Sequence, residues 1–172
     1  MDKSHIEMLQ GMPIFGGIRE DILHTILSFS PMVHVGKGDY FFRENDKGDD
    51  MFILETGRVA ILKSWENHEY LLATLGPGDC FGEMEIIDLE PRTASVLAVE
   101  DCKAIKLSAT GLCKVYQQDV KQFAMIHMNM GREVSRRLRK ADQHLFEHRI
   151  DQYYRFNPDK PDLPPKKDSS PG

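Results

Sequence analysis

The sequence predicts a mainly β domain with flanking helices: an antiparallel β-roll or jelly-roll barrel, with N-terminal helices before it and a long C-terminal helix after it. Three observations predict it. Between about residues 32 and 107, short apolar runs alternate with turn residues at close intervals. On either side of that stretch, apolar residues recur every three or four positions, the helical period. No long helical period interrupts the middle, which argues against a parallel sheet of strand–helix–strand units.

Each element follows in order. From Ser4 to Ser30, Ile14, Phe15, Ile18, Ile22, Leu23, Ile26 and Leu27 fall at helical spacing, and Gly16-Gly17 interrupts them, predicting two short helices around a turn. The strand runs include Tyr40-Phe41-Phe42, Met51 to Leu54, Val59 to Leu62, Tyr70 to Ala73, Ala94 to Val99 and Ala104 to Leu107. Gly36 to Asp39, Asn45 to Asp50, Thr56-Gly57 and Gly76 to Asp79 separate them as turns. Ser108 can cap a helix to about Gln118, and Asp119 a longer one to about Ile150. Along that second helix Phe123, Ile126, Met130, Val134, Leu138, Ala141 and Leu145 form one apolar stripe over about six turns. A narrow stripe of that length exceeds what one small barrel covers, so the long helix is expected to meet a second copy in a homodimer. The domain is therefore placed at 5–150, with the barrel at about 32–107 and helices at 108–150. Residues 151–172, rich in Pro, Lys, Asp and Ser, are expected to form a disordered tail.

Composition narrows the function. A net charge of −5 argues against a general nucleic-acid binder, which relies on clustered excess Lys and Arg. The basic run Arg132, Arg136, Arg137, Arg139 and Lys140 is offset by Glu133, Asp142 and Glu147 and reads as a solvated face. Cys80, Cys102 and Cys113 have no paired spacing and read as reduced thiols. The first residues lack a signal-peptide core, and no run of about 18 apolar residues exists to span a membrane, so a cytoplasmic location is expected. His144 and His148 sit four apart, but no third metal ligand accompanies them. No catalytic constellation is evident, so an enzyme is not expected, and no resident cofactor or metal is implied.

The chemistry concentrates in Phe81-Gly82-Glu83-Met84-Glu85-Ile86-Ile87-Asp88-Leu89-Glu90-Pro91-Arg92-Thr93-Ala94-Ser95-Val96. Gly82 permits close backbone approach. Residues 83–88 can form one helical turn whose free N–H groups suit an anion. Arg92 opens the next strand with a fork matched to two phosphate oxygens. Thr93 adds a hydroxyl, and an ionised Glu83 can accept from a sugar hydroxyl. Together these parts fit a phosphorylated ribose carrying one negative charge.

This segment resembles the phosphate-binding cassette of the cyclic-nucleotide-binding domain family. The likeness extends to Pro13-Ile14-Phe15, Gly38 to Glu44, Gly48-Asp49, Ile53 to Val59 and the helix from Glu133 to Arg139, covering roughly residues 5–148. The resemblance implies a non-enzymatic sensor of a 3′,5′-cyclic nucleotide, cAMP more than cGMP, acting on a separate protein effector. It implies that Glu83 accepts from the ribose 2′-hydroxyl and Arg92 pairs with the phosphate. Phe81 opens the cassette, and Gly82, Met84 and Glu85 supply backbone contacts. Thr93 and Ala94 complete the phosphate shell, Leu72 and Ala73 flank the base, and Arg137, Ala141 and Asp142 lie where the long helix covers it. Two positions depart from the family pattern: Glu85 replaces a small residue such as alanine, and Asn45 stands where glycine is frequent. Many bacterial relatives add a DNA-reading helical module after the long helix, and the Pro-rich residues beyond Leu145 do not fit one, so the chain is not expected to be a transcription factor itself. The alternatives are a degenerate module of the same fold that binds a protein without ligand and, more remotely, a cupin-like metalloenzyme.

Overall fold

The computed structural model describes residues 3–66 and 68–156. Helix α1 (Lys3–Gly11), a 3-10 turn (Pro13–Phe15) and α2 (Glu20–Ser28) precede eight strands. These are β1 (Met32–Val35), β2 (Tyr40–Phe42), β3 (Asp50–Thr56), β4 (Val59–Trp65), β5 (His68–Leu75), β6 (Cys80–Phe81), β7 (Ser95–Ala98) and β8 (Cys102–Ser108). Helix α3 (Met84–Asp88) lies between β6 and β7, and α4 (Ala109–Gln118) and α5 (Val120–Phe156) follow β8. The strands form two four-stranded antiparallel sheets, ordered β1-β8-β3-β6 and β2-β7-β4-β5, so the expected roll is present but is not a closed barrel.

Strand β3 shows how the core is laid out. It is paired on both edges, with β8 and with β6. Met51 to Leu54 are all buried because both of its faces are covered. By strand alternation, Met51 and Ile53 join Ile105 and Leu107 against the helices, with Ile22, Ile26, Leu112 and Ile126. Phe52 and Leu54 face the second sheet, with Val59, Phe81, Val96 and Ala104. In contrast, β5 is an edge strand and is exposed at every position but its last, where Leu75 is half-buried.

The helix starts follow the caps read from the sequence. Ser108 Oγ accepts from Gly111 N–H. Asp119 Oδ1 accepts from the N–H groups of Lys121 and Gln122. Beyond those caps the N-terminal segment is tied to α5 by polar contacts. Asn129 Nδ2 donates to the carbonyls of Ile14 and Gly16 at 3.2 and 2.9 Å, Gln122 accepts from Arg19 N–H, and Arg19 pairs with Asp119 at 2.7 Å.

Helix α5 runs to Phe156, six residues past the expected domain limit of 150. Asp151 to Phe156 contains no Gly or Pro, so nothing there stops the helix. The rest of the expected tail, residues 157–172, lies outside the described residues. The described residues fall into two units, divided between Val134 and Ser135. In the first, Ile126 and Met130 of the stripe are buried. In the second, Leu138 and Leu145 are exposed, as are Phe146, Tyr153 and Phe156.

Cys80 and Cys102 are buried and Cys113 is exposed, all three as free thiols. Burial pushes the Cys102 thiol above its ordinary value. Among the described residues no helix is long and apolar enough to cross a membrane. Nor, among them, does any group of three or more His, Cys, Asp and Glu stand ready to hold a metal.

Candidate functional site

The site is built around a buried guanidinium. Arg92 is 2% exposed, although it does not open the strand as expected but lies in the loop three residues before β7 begins at Ser95, where arginine normally reaches solvent. Its backbone is fixed first: its N–H donates to Asp46 carbonyl at 2.9 Å and its carbonyl accepts from Asn45 N–H at 2.8 Å. Asn45 makes that turn with φ +69°, a conformation asparagine tolerates. The side chain then passes between two glycines. A Cβ on Gly48 would stand 2.5 Å from Arg92 Nη2, and one on Gly82, whose φ is +78°, 2.6 Å from Nη1. The Phe42 ring lies under the guanidinium, 4.0 Å from its centroid.

The guanidinium is held by two carboxylates. Nη2 donates to Asp50 Oδ1 at 2.6 Å, and Lys106 Nζ pairs with the other oxygen of Asp50 at 2.7 Å. Nη1 donates to Glu85 Oε2 at 2.9 Å and to Gly82 carbonyl at 3.3 Å. Glu85 Oε1 accepts from Thr93 backbone N–H at 3.3 Å. Arg92 Nε is buried with no hydrogen-bond partner. Two cations and two carboxylates thus form one balanced chain from Lys106 to Glu85, which is how such charges survive burial.

Helix α3 supplies the acidic side. Glu83 precedes it and is 2% exposed; Glu85 lies in its first turn and is 3% exposed. The helix ends at Leu89 in the left-handed conformation, whose N–H donates to Glu85 carbonyl. Met84 and Ile87 turn outward. Thr93 is exposed and Ala94 half-buried. Nearby, Lys63 Nζ donates to Thr93 carbonyl and pairs with Glu44, which, with help from Ser64 N–H, holds the Glu44 carboxyl below its ordinary value.

The structure brings Gly82, Glu83, Met84, Glu85, Arg92 and Thr93 together. Phe81 is committed to the core, stacked on Phe52 at 5.4 Å with Phe41 edge-on at 5.0 Å. Leu72 and Ala73 are exposed on β5. Arg137, Ala141 and Asp142 belong to the second unit. A cavity of about 310 Å³ also borders Arg92, with Asp50, Lys106, Phe41, Phe42 and Phe52 among its walls. Of the residues expected at the ligand, only Arg92 lines it.

Sequence reasoning missed Asp50 and Lys106. The signal was strand alternation: Asp50 shares a face with Phe52 and Leu54, and Lys106 with Ala104. A charge on an inward face calls for an opposite partner.

Comparison with known families matches residues 32–119, half of the chain, to the cyclic nucleotide-binding domain. A cyclic AMP receptor protein of Thermus thermophilus is 30% identical over 80% of this chain and 62% of its own length. Human cGMP-dependent protein kinase 2 is 32% identical over 58% of this chain and 13% of its own. The crystal structure of the Thermus thermophilus catabolite activator protein superposes with a TM-score of 0.68 at 29% identity, covering 77% of this chain and 61% of that one. The chain thus spans about three fifths of the bacterial relative and a small fraction of the kinase.

Proposed function

The chain belongs to the cyclic nucleotide-binding domain family, and from that premise we propose that it binds a 3′,5′-cyclic nucleotide, cAMP in preference to cGMP, as a regulatory sensor acting on a protein partner. One observation carries the reading: a buried Arg92 guanidinium between Gly48 and Gly82, beside the first turn of α3. A guanidinium fork in that place matches the two free oxygens of a phosphate. In this reading Arg92 pairs with the phosphate and Glu83 accepts from the ribose 2′-hydroxyl. Backbone N–H groups of Gly82, Met84 and Glu85 serve the phosphate, together with Thr93 and Ala94. Leu72 and Ala73 flank the base, and Arg137, Ala141 and Asp142 form the lid. The preference for cAMP is supported by the long match to a protein named for cyclic AMP. Exposed Leu138, Leu145, Phe146, Tyr153 and Phe156 support a homodimer through α5.

Calorimetric titration of the purified chain with cAMP and cGMP tests this. One cAMP per chain is expected, with cGMP weaker. Arg92→Lys keeps the charge but loses the two-pronged geometry, and should weaken binding by about tenfold or more. No heat from either nucleotide at about 1 mM overturns the reading. A second reading, a ligand-free interaction module, is favoured by one observation: a carboxylate of the chain itself already sits on Arg92.

A further inference from the structure

Two donors of the phosphate shell as expected from the sequence, Arg92 Nη1 and Thr93 N–H, are already engaged, and by one side chain. Glu85 Oε2 takes Arg92 Nη1 at 2.9 Å, and Oε1 takes Thr93 N–H at 3.3 Å. A carboxylate and the two free oxygens of a cyclic phosphodiester are chemically alike: two oxygens on one centre sharing one negative charge. The same guanidinium fork recognises both. Glu85 is also not an incidental surface contact, since it is 3% exposed and its partner Arg92 2%.

We propose that the Glu85 carboxylate is the resident occupant of the phosphate subsite, an internal competitor that an incoming cyclic phosphate must displace. The proposal rests on the cyclic-nucleotide reading of the site. The two anions exclude each other. Asp50 already holds the other arm of Arg92, and Lys106 is paired with Asp50, so the cluster has no spare positive charge for a second anion beside Glu85. Displacement is local. Glu85 sits in the first turn of a five-residue helix whose neighbouring side chains, Met84 and Ile87, already face outward. Turning its side chain outward leaves its own backbone N–H in place for the ligand. The observed affinity is then the intrinsic one reduced by the fraction of molecules with Glu85 displaced. Glu85 would raise the nucleotide concentration at which the domain responds.

The test compares native chain, Glu85→Ala and Glu85→Gln by calorimetry with cAMP, and by thermal melting with and without inorganic phosphate. Glu85→Ala should bind cAMP about tenfold tighter or more, and Glu85→Gln, which keeps an acceptor but no charge, to an intermediate degree. Phosphate should raise the melting temperature of Glu85→Ala more than that of the native chain, and adding Arg92→Lys should abolish the difference. If Glu85→Ala does not fold, Glu85→Gln carries the comparison. A native chain that binds cAMP alongside variants that bind it equally or more weakly overturns the proposal and leaves the cyclic-nucleotide reading standing. Binding gained only in the variants upholds the proposal and overturns the native chain as a cAMP sensor. Absence of cAMP binding and of any phosphate effect in all three proteins overturns both.

Discussion

At Arg92 a single side chain holds the buried charge cluster together and, in the proposed function, also meets the ligand; the two demands separate by mutation. Arg92→Ala leaves Glu85, 3% exposed, without its cation, while Asp50 keeps only Lys106. Breaking a buried pair this way costs about 3–5 kcal/mol, which urea denaturation would register as a lower midpoint. Glu85→Ala leaves Arg92 still paired with Asp50 and should cost less. Gly82→Ala combines a left-handed backbone with a methyl 2.6 Å from Nη1 and 3.1 Å from Asp50 carbonyl, both hard to relieve. Reduced stability and loss of any Arg92-dependent binding are expected together in that variant. Glu83 and Arg92 were legible in the sequence because their spacing follows a local motif. Asp50 and Lys106 lie far from that motif, on the paired strands β3 and β8 of one sheet, and Asp50 meets Arg92, which precedes β7 of the other.

Among the elements, the helix caps were the most legible, because a cap is a local hydrogen bond. Ser108→Ala should cost about 1 kcal/mol in chemical denaturation by freeing Gly111 N–H. Asp119 does more than cap α5. The Arg19 guanidinium, and then Gln122 N–H, hold its carboxyl below its ordinary value. A depressed folded value means the contribution is present above the unfolded value of about 3.9 and is lost as pH falls through the folded one. Asp119→Asn should therefore flatten the fall of stability with acidification below about pH 4, read from urea midpoints across that range. Less legible was where α5 stops being covered. The apolar period continues unbroken from Ile126 to Leu145, yet the side chains are buried only through Met130. Periodicity states which face is apolar and not what lies against it. Strand pairing was likewise hidden, since β1 finds β8 across the whole roll and no local signal specifies it.

For the whole molecule, every buried apolar residue lies at or before Met130 among the described residues. A chain ending at Val134 should thus keep cooperative thermal unfolding. If α5 pairs copies, the same truncation should convert a dimer to a monomer in analytical ultracentrifugation. The two-faced cover of β3 has a further consequence for how the molecule breathes. Phe52 and Ile53 are bonded to strands on both sides and shielded above and below, so their amide hydrogens exchange with solvent deuterium only when the entire roll comes apart. Amides along the exposed edge strand β5 exchange through small local openings instead. A ligand that binds only the folded chain slows the first set by a factor of one plus the ratio of the free ligand concentration to its Kd. Deuterium uptake at two residues of one strand would then weigh any candidate ligand, unlabelled and without knowledge of where it binds.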